Sequence, residues 1–242
     1  MVMQTNFKSQ CLPSYRMLTH DQIKHIHTAT LELLESVGVK VMYPEAVEML
    51  AGAGCRVKPD NLVQIPNWLV AESIRSAPSR VTIYNRLGQV AMQLEGNKTY
   101  FGMGTDLIKT YDLESGDLRD SRLKDVANAA RVADALEEID FLGSYALPYD
   151  SPTNLMYIDA FKTQLENSIK PIFYTAAGMK DIAVINDMAA AVMGGKERLR
   201  EKPIHIHYAE PLTPLLHSSG AIQKLFFCAD NGVPVNYTPG MM

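Results

Sequence analysis

The second half of the sequence repeats one unit: a short apolar run rich in β-formers, then a stretch of helical period. The runs cover 99–102, 141–146, 171–175, 203–208 and 234–237, and they end near residues 103, 146, 175, 208 and 237. Successive ends are 43, 29, 33 and 29 residues apart. Two parallel strands of one sheet need a crossover of a dozen or more residues between them, so this spacing predicts βα units around a parallel sheet. Helices are expected at about 121–136, 153–168, 179–193 and 215–231. The longer first interval also holds an expected hairpin, 109–112 and Leu118 around the turn Glu114-Ser115-Gly116.

Such a sheet is either open and doubly wound or closed into a barrel. The segment Gly102-Met103-Gly104-Thr105 leads into a hairpin and not into a helix, so it fails the context a dinucleotide-binding loop requires. Upstream, Thr19 and Gln22 form a capping box, and Ile23, Ile26, Leu31, Leu34 and Val37 trace an apolar stripe that Gly38 can close. A helix from Pro44 to about Ala51 and another from Pro66 to Ile74 follow, with short strands in 57–65, 81–84 and 90–92. A helical segment with a small β layer is commoner on barrels decorated at one end. The expectation is therefore an α/β chain: residues 1–96 as an N-terminal helical and small β extension, 97–242 as the first part of a TIM (β/α)8 barrel. The barrel is expected to be incomplete, with about five βα units, because the sequence stops at Met242, right after the last run, with no covering helix, and leaves a bare edge. On this reading the C-terminal half is missing.

Composition narrows the function classes. With 47% hydrophobic and 21% charged residues, a net charge of −4 and a pI near 5.9, the 242 residues offer no basic face for nucleic acid or an anionic membrane. The apolar runs are too short to cross a bilayer, and the first twenty residues lack a secretory apolar stretch. Cys11, Cys55 and Cys228 form no CxxC pair and are expected as reduced thiols in a cytoplasmic protein.

Several segments, in order over about residues 18–242, resemble the trimethylamine methyltransferase family. They are 18–23 (LTHDQI), 34–39 (LESVGV), 100–106 (YFGMGTD), 119–121 with 125–131 (DVANAAR), 134–141 (DALEEIDF), 210–215 (EPLTPL) and 232–235 (GVPV). The resemblance implies a TIM barrel about twice this length. It also implies transfer of a methyl group from a tertiary or quaternary amine to Co(I) of a small corrinoid protein docking over the barrel mouth. One branch carries pyrrolysine and takes trimethylamine; a larger branch lacks it and takes quaternary amines such as glycine betaine. The expected partners are a methylated, first of all quaternary, amine and the corrinoid (cobalamin) protein, with a homo-oligomer and no directly bound cofactor. The alternatives are a trimethylamine-specific pyrrolysine enzyme or an unrelated TIM-barrel lyase or hydrolase.

In a barrel, the carboxyl ends of the strands carry the active site. Here those ends bear Phe101, Gly102, Gly104 and Asp106; Tyr145; Tyr174 and Thr175; His205, His207, Tyr208 and Glu210; and Tyr237. An aromatic stands at each of the five. Aromatic faces hold a methylated ammonium by cation–π attraction, worth ~0.5–2 kcal/mol each, and a carboxylate adds Coulombic attraction. The candidate substrate-binding residues are Phe101, Gly102, Gly104, Tyr145, Tyr174, His207, Tyr208, Glu210 and Tyr237, with no catalytic residue named. Strand aromatics also pack cores: Tyr208 and Tyr237 stand evenly between cage and core, and Phe101 leans to core. The two glycines allow either close approach of substrate or a tight turn. His205 and His207 point to one side of a strand; with Glu210 they are zinc-type ligands, but no further ligand is visible, so no metal is expected. A hydrogen-bonded core histidine is the other reading. Ser121 and Ser144 have no partnered histidine, so no nucleophilic triad is expected.

Overall fold

A computed structural model of the chain describes residues 15–239; Cys11 lies outside them. The elements run α1 (His20–Ser36), β1 (Val39–Val41), α2 (Pro44–Gly52), β2 (Arg56–Lys58), β3 (Leu62–Gln64), α3 (Asn67–Ser76), β4 (Val81–Tyr84) and β5 (Val90–Leu94). There follow β6 (Lys109–Tyr111), β7 (Leu118–Asp120), α4 (Leu123–Ala135), β8 (Leu142–Gly143), α5 (Met156–Asn167) and β9 (Ile172–Tyr174). Then come α6 (Met179–Met193), α7 (Lys196–Glu201), β10 (His205–Ala209), β11 (Leu216–His217), α8 (Ser219–Asn231) and β12 (Val235–Tyr237). The chain is α/β, and these residues fall into two compact units.

One unit comprises residues 15–79 and 210–223. The capping box at α1 forms, with the Gln22 amide donating to Thr19 Oγ1 at 3.2 Å and the Thr19 amide to Gln22 Oε1 at 2.9 Å. Gly38 stops the helix at φ +85, where a Cβ would lie 2.5 Å from the Val63 carbonyl oxygen. The sheet order is β11-β1-β3-β2, with β1 antiparallel to β3 and parallel to β11, Lys40 opposite Leu216. Val39, Val41 and Val63 fill the core beneath it. The expected helix over 215–231 starts only at Ser219, because Leu216 and His217 are taken into this ladder.

The other unit holds residues 80–209 and 224–238. Its four-stranded sheet is parallel throughout, in the order β12-β10-β9-β8. Single parallel bridges, Gly102 to Phe141 and Leu107 to Ala146, continue it past β8. The expected strand at 99–102 is reduced to that bridge, since the Tyr100 hydroxyl ties its segment to β5, accepting from the Gln93 amide at 2.8 Å. Register sorts the side chains. Leu142, Ile172 and Tyr174 pack with Phe161 and Leu165 of α5, Ile182, Ile185 and Ala189 of α6, and Cys228 of α8. The opposite face, Phe141, Phe173 and Ile206, packs on Ile83 and Met92 of the β4–β5 hairpin. Both faces are covered, as a parallel sheet requires.

Two polar devices brace this unit. Lys170 Nζ donates to the carbonyls of Ala133, Leu136 and Ile139 at 2.7, 2.6 and 2.6 Å, tying the end of α4 and the segment after it to the start of β9. Arg119 on β7 forks onto Asp125 in the first turn of α4 at 2.7 and 2.9 Å, and its Nε reaches Asp112 at 2.9 Å. The hairpin β6–β7 is thereby tied to the helix that follows it.

Candidate functional site

The sequence leaves each parallel strand through a short polar segment, so hydroxyls and carboxylates collect at the carboxyl end of the sheet, where open and closed α/β sheets both place ligands. Asp106 sits at the centre of this collection. Its Oδ1 accepts from Ser144 Oγ at 2.9 Å, just past β8, and from Thr175 Oγ1 at 2.8 Å, just past β9; Thr175 also lies 3.0 Å from Oδ2. Three consecutive strand segments thus meet on one carboxylate. Among the described residues, no salt bridge joins Asp106 to a Lys, Arg or His.

The backbone here is unusual. Asp106 and Tyr145 adopt φ +56 and +53, a left-handed conformation that costs non-glycine residues of order 1 kcal/mol or more and collects at functional sites. Both are held by ladder bonds: Leu107 N–H to the Tyr145 carbonyl at 2.8 Å, and Tyr145 N–H to the Gly104 carbonyl at 3.1 Å. Positive φ at Tyr145 ends β8 two residues after it begins, which is why the expected strand over 141–146 is shorter. Glycine at 143 permits the approach, since a Cβ there would lie 2.3 Å from the Gly104 carbonyl oxygen and 2.4 Å from that of Met103.

Two helix N-termini complete the surroundings. Tyr157, in the first turn of α5, has its phenol held above the usual range by burial and by the negative charges of Asp106 and Asp181. Asp181, nearly buried in the first turn of α6, accepts from the Ala177 amide at 3.1 Å. The arrangement is anionic, lined by hydroxyls and one neutral phenol, and its chemistry suits a cation.

The expected residues divide. Phe101 is exposed at 51%, with its amide on the Asp140 carboxylate at 2.8 Å. Gly104 is exposed, and a Cβ there would meet nothing within 4 Å. Gly102 is different: a Cβ would fall 2.2 to 2.5 Å from the Phe141 ring, so its smallness serves packing. Tyr145 is half-buried beside Ser144. Tyr208, half-buried, lies 5.5 Å from the Phe173 ring on the hairpin-facing side. Tyr237 pairs with Ala209 while Tyr208 pairs with Asn236, so the two tyrosines face opposite sides of the sheet and do not share one cage. Glu210 is exposed and opens the segment 210–223 of the other unit.

Tyr174 and His207 are corrections to the expected mouth. Both are buried, at 1% and 0%, on the helix-covered face, with His205 beside them. The Tyr174 ring lies 5.3 Å from His205 and 5.0 Å from His207. Burial drives His205 down to about 4; burial, Lys224 and His205 drive His207 to about 3. Both are neutral core rings. Among the described residues, no group of three or more His, Cys, Asp and Glu is arranged to hold a metal.

The residues that sequence reasoning passed over are Ser144, Tyr157 and Asp181, while Asp106 and Thr175 were visible as strand-end residues without a role. The partner of Ser144 is no histidine but an aspartate thirty-eight residues upstream. A cleft of about 360 Å³ also opens beside Tyr145 between the β6–β7 hairpin and α4, walled by Met103, Tyr111, Leu113, Val132 and Leu136. Its one carboxylate, Asp125, is already paired with Arg119.

Comparison with known proteins adds the following. The family model described as trimethylamine methyltransferase matches residues 1–242. Trimethylamine methyltransferase MttB of Desulfitobacterium hafniense is 32% identical over 220 residues, 89% of this chain and 44% of that protein. Glycine betaine methyltransferase of the same species is 29% identical, over 93% of this chain and 47% of that protein. Trimethylamine methyltransferase MttB of Methanosarcina barkeri is 32% identical, over 91% and 46%. The chain spans about half the length of the curated relatives it matches.

Proposed function

Since the chain belongs to the trimethylamine methyltransferase family, we propose that it serves the transfer of a methyl group from a methylated amine to the Co(I) corrinoid of a partner protein. The methyl donor we favour is a quaternary amine such as glycine betaine. The observation that carries the reading is Asp106: a carboxylate at the meeting of three strand ends, clasped by the hydroxyls of Ser144 and Thr175 and, among the described residues, by no cationic side chain. An anion in that state is suited to a fixed positive charge, which attracts it at a few ångströms without needing a donor hydrogen. Gly104 opens to free space above the same segment, which leaves room for a broad planar group to come close. The corrinoid supplies the Co(I) nucleophile when bound.

The work of the chain's own residues is then positional. A quaternary amine leaves as a neutral tertiary amine, so no general acid is needed, and orientation of the C–N bond with exclusion of water carries the rate. Asp106 anchors the ammonium, and Tyr145 and Tyr208, with Phe101 at the rim, are proposed to present aromatic faces to its methyl groups. Tyr237, on the other face, is assigned no part in that wall. The side-by-side order of the parallel segments follows the order of the chain, without the reversal of a doubly wound sheet, and this supports the first part of a (β/α)8 barrel.

The test uses the protein at its natural length, a reduced corrinoid protein, and glycine betaine or trimethylamine in turn, following the cobalt absorption. Amine-dependent loss of the Co(I) band is the expected result. Demethylation that proceeds without corrinoid, or no response to any methylated amine, overturns the reading.

A further inference from the structure

We infer that Ser144 and Thr175 are positioning residues, which hold the Asp106 carboxylate in one orientation as the counter-ion of the substrate's ammonium head. The inference rests on the proposed function and says how that site is set for a cation. An aspartate on an exposed segment turns freely about its side-chain bonds. This one is caught from two sides by donors on the ends of adjacent strands, at 2.8 and 2.9 Å, and its own backbone is locked at φ +56. Thr175 follows β9 directly and Ser144, buried, follows β8, so neither donor can drift without disturbing the parallel ladder.

The choice of donor matters. A lysine or arginine in either place would orient the carboxylate equally well and cancel its charge toward a ligand. Hydroxyls orient it and leave the charge in place. Both hydroxyls donate to Oδ1, with Thr175 also 3.0 Å from Oδ2, and the negative charge of the carboxylate is left for the ligand. Asp181 and Asp106 together keep the site negative, and the Tyr157 phenol, protonated at neutral pH, adds no charge to it.

The experiment titrates glycine betaine and trimethylammonium into wild type, Thr175→Val, Thr175→Ser and Asp106→Asn, by calorimetry and by steady-state kinetics at natural length. Thr175→Val keeps the shape and removes the donor; affinity is expected to fall roughly tenfold, the order of one hydrogen bond to a charged group. KM should rise by a similar factor while kcat falls far less, and Thr175→Ser should return affinity to within about twofold, again the scale of a retained hydrogen bond. Asp106→Asn should lose more than Thr175→Val. Melting temperatures of the variants serve as the check on folding, and Ser144→Ala repeats the test where Thr175→Val does not fold. Unchanged affinity in both donor variants, or a loss that serine does not restore, overturns the inference and leaves the proposed function standing. Wild type that binds no methylated ammonium overturns both.

Discussion

Arg119 grips Asp125 with both terminal guanidinium nitrogens, at 2.7 and 2.9 Å, while its Nε holds Asp112 across the β6–β7 hairpin. One arginine therefore fixes a hairpin to the helix that follows it. The planar fork cannot be copied by an ammonium. Arg119→Lys is expected to loosen the hairpin without unfolding the sheet, seen as faster hydrogen exchange at the β6–β7 amides and earlier cleavage near Glu114. The Arg119 hydrogen bond holds Asp125 below the usual range and Asp112 down at about 2. Both carboxylates are depressed in the fold, so their contribution is complete above about pH 4, the unfolded value, and fades as pH falls toward 2. Exchange rates that match wild type would show the fork to be idle.

The histidine pair predicts a different pH window. Folded values near 4 and 3 lie below the unfolded value of 6.5, so the unfolded chain binds protons first as the solution is acidified. Stability is then full above about pH 6.5 and declines below it, by about 2 kcal/mol per histidine at pH 5. Denaturant midpoints at pH 7 and pH 5 measure this. His205→Leu or His207→Phe, which put an apolar side chain in place of a buried imidazole, should flatten the dependence. A slope equal to wild type in both variants would refute the assignment.

The two glycines of the 102–104 segment should separate cleanly. Gly102→Ala drives a methyl into the Phe141 ring and is expected to cost about 1–3 kcal/mol of stability, as overpacking does. Gly104→Ala meets open space and should leave the melting curve alone. Equal destabilisation by the two would show that crowding at Phe141 is not what requires glycine.

Tyr208→Ala addresses the proposed aromatic wall. Removing one cation–π face should weaken binding of a quaternary amine by about 1–2 kcal/mol, roughly five- to thirtyfold. Tyr237→Ala, on the other face of the sheet, should weaken it less. Reversal of that order would place the wall on the wrong side.

Repeat length and helix signals were legible because they are local. The capping box at Thr19 and Gln22, the hairpin at 109–120 and helices α5 and α6 form within a few residues of the bounds their patterns suggest. The faces of the strands were not. Period two says that His205 and His207 point the same way, but which way depends on register with Tyr174 and Ile172, a pairing across more than thirty residues. An aromatic at a strand end reads alike whether it meets ligand or helix, so Tyr174 and Tyr208 could not be told apart. The Asp106 cluster stayed hidden for the same reason: Asp, Ser and Thr are ordinary loop residues singly and become a site when three strand ends converge.

The parallel pairing of Lys40 with Leu216 sets an order of events on the ribosome. The segment 15–79 emerges before residues 216–217, and its sheet lacks the edge strand until those two residues have been made. Sequence-distant ladders close slowly, and domains fold as their last strand arrives. Strand β1 is therefore left with an open edge while β8, β9 and β10 are synthesised after it.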